Sequence, residues 1–306
     1  MIYPKRKRTL SLTPKKTAFS THLVSGYSRS LKMELRKYLL WLLFLCFWLS
    51  RGNAYPNIQV TGDDWGQVAK SEVHQVLVLA SQQILPHTGH EQWPTLQIRN
   101  TADGPMTLYQ RGEEGQYVIL LNTRDRRWCQ YVFQFAHELG HIVCGFKKKG
   151  SHHRWLEESI SEVASLFVLQ KMSTAWKEHP PLPDQSSYFE EFPRYLKSRI
   201  NQVPKMDPFP FKQWWQKNRN ALEMDSTLRL KNLTIARHIL PLFEKNPDAA
   251  WGACGYLNTF EQAEKATFES FLLDWSESCT NQQQKLLVRE LMGCFFPMNS
   301  LGETGR

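Results

Sequence analysis

Apolar positions in this chain follow two rhythms, a strand-like one early and a helical one later. After Asp63-Asp64, the spacing predicts a helix over 65–85. Short β-rich runs follow at 96–99, 106–110 and 117–122. The last of these, Tyr117-Val118-Ile119-Leu120-Leu121, is β-branched and aliphatic and ends at the polar turn Asn122-Thr123-Arg124-Asp125. From Tyr131 to Val143 the period becomes helical. Val132, Phe135, Ala136, Leu139 and Val143 make one stripe. A second helix is predicted over 156–172. Its main apolar face is Ile160, Val163, Ala164, Phe167 and Val168, and Leu166 and Leu169 carry the apolar character round to the other side. Such a helix is buried nearly all round. The segment Glu178-His179-Pro180-Pro181-Leu182-Pro183-Asp184 breaks it and marks a loop. Further helices are predicted at 187–201, 226–244, 259–277 and 281–295, with Asn258-x-x-Glu261 resembling a capping box for the third. Strands first and helices later predict an α+β fold.

The first of the two central helices carries His137-Glu138-Leu139-Gly140-His141, with both histidines on a face apart from the apolar stripe, next to Gln134. Side chains at i and i+4 lie one above the other on a helix, so the two imidazoles can hold one zinc ion together. Glu138 then points beside the metal, where it can take a proton from the water that the metal activates. Catalytic zinc usually has three protein ligands and one open position. The second helix supplies candidates for the third: Glu158, Glu162 and Ser165 cluster on its minor face at 100° per residue. Buried carboxylates need partners, and a zinc ion with its histidines would provide them. Glu157 lies nearer the apolar face. It is either an alternative ligand to Glu158 or one half of a salt bridge, with Arg154 at hand. Cys144 shares the histidine face, as a metal neighbour or as a small buried residue.

These two segments together resemble the gluzincin group of zinc metallopeptidases. In that group the H-E-x-x-H helix is followed by a helix whose glutamate completes the site. The run Trp155-Leu156-Glu157-Glu158-Ser159-Ile160-Ser161 is similar to the W-L-N-E-G-F-A segment of zinc aminopeptidases, with Glu157 and Ser159 in place of Asn and Gly. No G-x-M-E-N segment is present, so the resemblance is to the broader group and covers roughly residues 117–172. It implies His137, His141 and Glu158 as zinc ligands, Glu138 as general base, and Glu162 as the carboxylate that holds a zinc-binding histidine. It also implies a zincin-like arrangement, with a small N-terminal sheet packed on the H-E-x-x-H helix and a mostly helical C-terminal lobe as the far wall. The implied substrate is a peptide or protein, with the oxyanion stabilised by a Tyr or His of that lobe. His179, Tyr188, Tyr195, His238 and Tyr256 are all eligible. The rival expectation is an exported zinc-binding or inactive peptidase-like protein that binds a partner.

The remaining composition bears on compartment. Arg36-Lys37, the apolar run Tyr38 to Leu49 and Gly52-Asn53-Ala54 have the order of a secretory signal. Twelve apolar residues are fewer than the roughly 20 of a spanning helix, so export is expected, with a membrane anchor at 38–49 as the alternative. Met33 begins a signal of normal form by itself, which makes it a candidate start and residues 1–32 a candidate untranslated stretch. Boundaries are therefore expected at 1–54, 55–175 and 176–306. Residues 1–54 hold 11 of the 38 basic and 1 of the 29 acidic residues, leaving 27 basic and 28 acidic, a net of −1. That balance gives no reason to expect a nucleic-acid partner. Cys129 and Cys144 flank the histidine helix, too far apart on it to bridge. A disulfide is plausible among Cys254, Cys279 and Cys294. Trp214-Trp215, Trp251 and Phe295-Phe296 fit either a core or a binding groove.

Overall fold

The computed structural model describes residues 55–148, 152–261 and 266–297. The chain divides into two units, Met1–Gly52 and Asn53–Arg306. Residues 1–54, and with them the signal-like segment, the alternative anchor and the candidate untranslated stretch, lie outside the described residues.

In the second unit a four-stranded sheet has the order β1-β2-β4-β3. Strands β1 (Ile58–Val60), β2 (Leu96–Asn100) and β4 (Tyr117–Leu121) are parallel, and β3 (Met106–Thr107) runs antiparallel along the edge of β4. Strand β1 is too short to show an alternation in the sequence and owes its place to pairing with β2, Ile58 opposite Leu96. Parallel strands need a crossover, and helix α1 (Lys70–Ser81) supplies it. This helix starts five residues after Trp65, later than the spacing suggests. Trp65 is spent on the core, its indole N–H donating to Thr61 O at 3.2 Å. The first turn of α1 is closed instead by Glu72, whose carboxylate accepts from the Ala69 N–H at 2.8 Å.

Strand β4 leads into α2 (Trp128–Val143), and α3 (Arg154–Glu178) packs against it. Helix α3 runs to Glu178, beyond the expected Met172, and stops before Pro180-Pro181. A 3-10 stretch at Pro183–Glu190 precedes α4 (Glu191–Ile200). Then come α5 (Pro208–Met224), α6 (Arg229–Lys245), α7 (Pro247–Cys254), α8 (Phe268–Ser278) and α9 (Gln282–Phe295). Helices α5 and α7 lie outside the helical stretches expected from the sequence, and each opens on a proline. Pro208 and Pro247 occupy their first turns, where the missing N–H costs nothing. The capping box expected at Asn258 does not form. Helix α8 begins at Phe268, with the Thr267 hydroxyl accepting from Ser270 N–H at 3.1 Å.

One apolar core draws on both 55–175 and 176–306. Trp215, Trp251 and Phe295 are buried in it, and Trp214 and Phe296 pack half-buried against it, so these aromatics are core and do not line a groove. Trp155 stands at its centre, 4.7 Å from Phe268 and 6.4 Å from Trp215 between ring centroids. The five described cysteines are free thiols, and the expected bridge among Cys254, Cys279 and Cys294 is not formed. Among the described residues no helix is long and apolar enough to cross a membrane.

Candidate metal centre

Helices α2 and α3 meet at Gly140. A Cβ there would stand 2.8 Å from Ser161 Cα and 3.1 Å from Ala164 Cβ, so only glycine permits this approach. The contact brings the minor face of α3 against the histidine face of α2. Ligand atoms of His137, His141 and Glu158 all lie within 4.8 Å of one another and could hold a metal ion.

The geometry of the group can be tested against such an ion. Glu158 Oε2 is 3.6 Å from His137 Nε2 and 3.7 Å from His141 Nε2, too long for hydrogen bonds. Two atoms each about 2.1 Å from one ion at a tetrahedral angle stand about 3.4 Å apart. Both Glu158–histidine distances therefore suit a small divalent cation. The outer ring nitrogens also fit. His141 Nδ1 is 2.7 Å from Glu157 Oε1, and His137 Nδ1 is 3.4 Å from Glu162 Oε2. A carboxylate on Nδ1 fixes the tautomer that leaves the Nε2 lone pair free for a metal.

The outer carboxylates are held in turn. The Asn258 amide donates to Glu157 Oε2 at 2.8 Å and to Cys144 O at 3.0 Å. The Arg199 guanidinium of α4 stands 3.8 Å from Glu162 and lies over the Phe133 ring. Glu157 is thus neither part of the ligand group nor paired with Arg154, which hydrogen-bonds the Tyr109 hydroxyl instead. Cys144 is buried at the end of α2, its thiol beside that of Cys254, and it is not part of the ligand group.

Glu138 is buried beside the group, on the side of the sheet edge. The Thr107 hydroxyl of β3 lies 3.0 Å from Glu138 Oε2 and 3.1 Å from Glu138 O. One oxygen of the carboxylate is thereby oriented.

The charges are concentrated. Burial alone would keep the His137 imidazole neutral, but the adjacent carboxylates of Glu158, Glu162 and Glu138 outweigh it and push its pKa up to about 10. Burial would raise the Glu158 carboxyl, yet His137 and His141 hold it below the usual range. A site whose carboxylates draw a proton onto a buried imidazole is one that a cation would satisfy.

His137, Glu138, His141, Glu158 and Glu162 line a cavity of about 450 Å³ with Thr107 of β3 on one wall and Tyr195 and Arg199 of α4 on the other. Of the five candidate oxyanion donors, Tyr195 alone lines it. Tyr188 packs on Trp176 and Phe192, Tyr256 bonds Thr280, and His238 stacks on Phe211. Burial raises the pKa of Tyr195 above its ordinary value, with Arg199 pulling the other way, so it remains an O–H donor at neutral pH. Nothing in the local pattern of residues points to Thr107. Asn258 was visible only as a helix cap.

Comparison of the chain with protein-family models, with curated proteins and with solved structures finds no match.

Proposed function

We propose that this chain is an exported, zinc-dependent metallopeptidase of gluzincin type, hydrolysing peptide bonds. The observation that carries the reading is one constellation: His137, His141 and Glu158 grouped at one point, with the buried Glu138 carboxylate beside them in an accessible cavity. A site that only braces the fold closes its coordination with four protein ligands and needs no such base. Among the described residues the group has three members.

Zinc, when bound, would polarise the scissile carbonyl and lower the pKa of the attacking water. Glu138, steadied by Thr107, takes the proton of that water and returns it to the leaving amine. Tyr195 donates a hydrogen bond toward the oxygen on which charge develops. Glu157 and Glu162 hold the imidazoles in position. The small mixed sheet beside α2 and the helical far wall agree with a zincin-like arrangement. Export rests on the signal-like order of residues 36–54.

The test is digestion of a diverse peptide library by purified chain, with metal removed by chelation and then restored. Cleavage that disappears with the metal and returns with zinc is expected. A protein that binds zinc and cleaves nothing would instead be an exported zinc-binding or inactive peptidase-like protein.

A further inference from the structure

The metal cavity has a charged neighbour. Arg127, Gln130, Gln134, His137 and His141 follow one another at three- and four-residue intervals, so they form a row along one face of α2 and its N-terminal flank. From Gln130 onward this row lines the metal cavity. Toward Arg127 it continues into a second cavity of about 470 Å³, which shares Pro105, Gln130, Gln134 and Arg229 with the first.

This second cavity is basic. Arg124, Arg127 and Arg229 line it against a single carboxylate, Asp125. That carboxylate accepts the Gln67 N–H at 2.8 Å, and Arg124 pairs with Asp64 at 3.6 Å. Arg126, which does not line the cavity, pairs with Glu72 and Asp184. Arg127 and Arg229 form no ion pair among the described residues, and both are exposed. Their guanidinium groups stand open to a ligand at the edge of the cavity that holds Glu138.

We propose that this cavity is a substrate subsite that takes an acidic residue of the peptide. The proposal rests on the peptidase reading above and names the class of substrate it would favour. A guanidinium binds a carboxylate through two parallel N–H···O bonds, which gives the pair direction as well as charge. Spacing sets the position. Ten residues separate Arg127 from His137, about 15 Å along a helix. An extended peptide covers about 3.3 Å per residue. Allowing for side-chain reach, the acidic residue falls about three to five positions from the scissile bond.

The test uses peptide pairs built on a sequence the protein cleaves, differing only by Glu or Gln at each of these positions on either side of the bond. Zinc-loaded wild type is compared with the Arg127→Gln/Arg229→Gln double variant and with Arg127→Lys/Arg229→Lys, which keeps the charge. Wild type is expected to favour Glu at one such position about five- to tenfold in kcat/KM, as charged hydrogen bonds in an open site allow. The preference should shrink with added salt, vanish in the Gln variant and survive in part in the Lys variant. A parallel arm measures binding of labelled Glu and Gln peptides to metal-loaded Glu138→Gln protein, which needs no turnover. Cleavage without a Glu preference, or a preference that persists in the Gln variant, overturns the subsite and leaves the peptidase reading intact. If nothing is cleaved, pairs drawn from a random library serve the binding arm. A Glu preference lost in the Gln variant then supports the subsite while the peptidase reading fails. Equal binding of both peptides overturns the subsite.

Discussion

The Asn258 amide donates to Glu157 Oε2 at 2.8 Å, while the other oxygen of that carboxylate stands 2.7 Å from His141 Nδ1. A residue beyond the end of α7 thus orients an imidazole on α2 through a carboxylate on α3. Replacing Asn258 by Ala frees Glu157 to rotate and loosens His141 without removing any ligand. Zinc affinity should fall about 10- to 100-fold, the usual effect of losing such a support, with the far-UV spectrum unchanged. Competition against a chromogenic chelator measures it. An unchanged affinity would mean that Glu157 needs no help.

Neighbouring glutamates on α3 should behave differently. Glu158→Gln removes a charged ligand and should leave the purified protein with less than stoichiometric zinc, since two histidines hold zinc poorly. Glu157→Gln should keep the metal at reduced affinity, because the amide oxygen can still accept from His141. Metal content of the two variants after dialysis decides between them. The reverse order would exchange their roles.

Gly140 tests the approach of α2 to α3. A methyl group there meets Ser161 Cα at 2.8 Å, which is backbone and cannot swing away. Gly140→Ala should cost about 1–3 kcal/mol, as overpacking does, against the small gain alanine would bring to an isolated helix. It should also weaken metal binding by spreading the helices that carry the ligands. Denaturant titration reads the first effect. A variant as stable as wild type would show that the helices do not approach this closely.

Metal uptake should release a proton. In the metal-free protein the His137 pKa is pushed up to about 10, against about 6.5 for an ordinary imidazole. A metal takes only the neutral ring. Binding at pH 7 should therefore expel about one proton, and affinity should rise by about one decade per pH unit between pH 6.5 and 8. The same shift fixes the sign for stability without metal. The stabilising contribution of protonated His137 is full below about pH 6.5 and is lost as pH rises through about 10. Titration calorimetry in buffers of different ionisation enthalpy counts the proton, and no release at pH 7 would contradict the assignment.

Local pattern carried much of this structure. The spacing in His137-Glu138-Leu139-Gly140-His141, and the polar stripe of Glu158 and Glu162 on an otherwise apolar helix, were legible because a helix turns periodicity directly into a shared face. Other features depend on contacts between distant segments, which no local pattern encodes. Thr107 reaches Glu138 only because β3 is the sheet edge beside α2. Asn258 reads as a cap until its partners Cys144 and Glu157 are seen across the fold. Tyr195 stood equal with four other candidates until the course of α4 brought it into the cavity wall. Helices α5 and α7 carry no clear apolar period, and their opening prolines, Pro208 and Pro247, are compatible with a helix only because they fall in the first turn.

The central claim is that Glu138 is a base beside a metal it does not ligate. Glu138→Gln keeps the size of the side chain and its contact with Thr107 but removes its basicity. The deciding measurement is zinc content and peptide-library hydrolysis for this variant beside wild type and His137→Ala. Glu138→Gln should keep its zinc and lose at least about 100-fold in cleavage rate, while His137→Ala loses both metal and activity. A Glu138→Gln protein that cleaves as fast as wild type, or that can no longer hold zinc, would contradict the account.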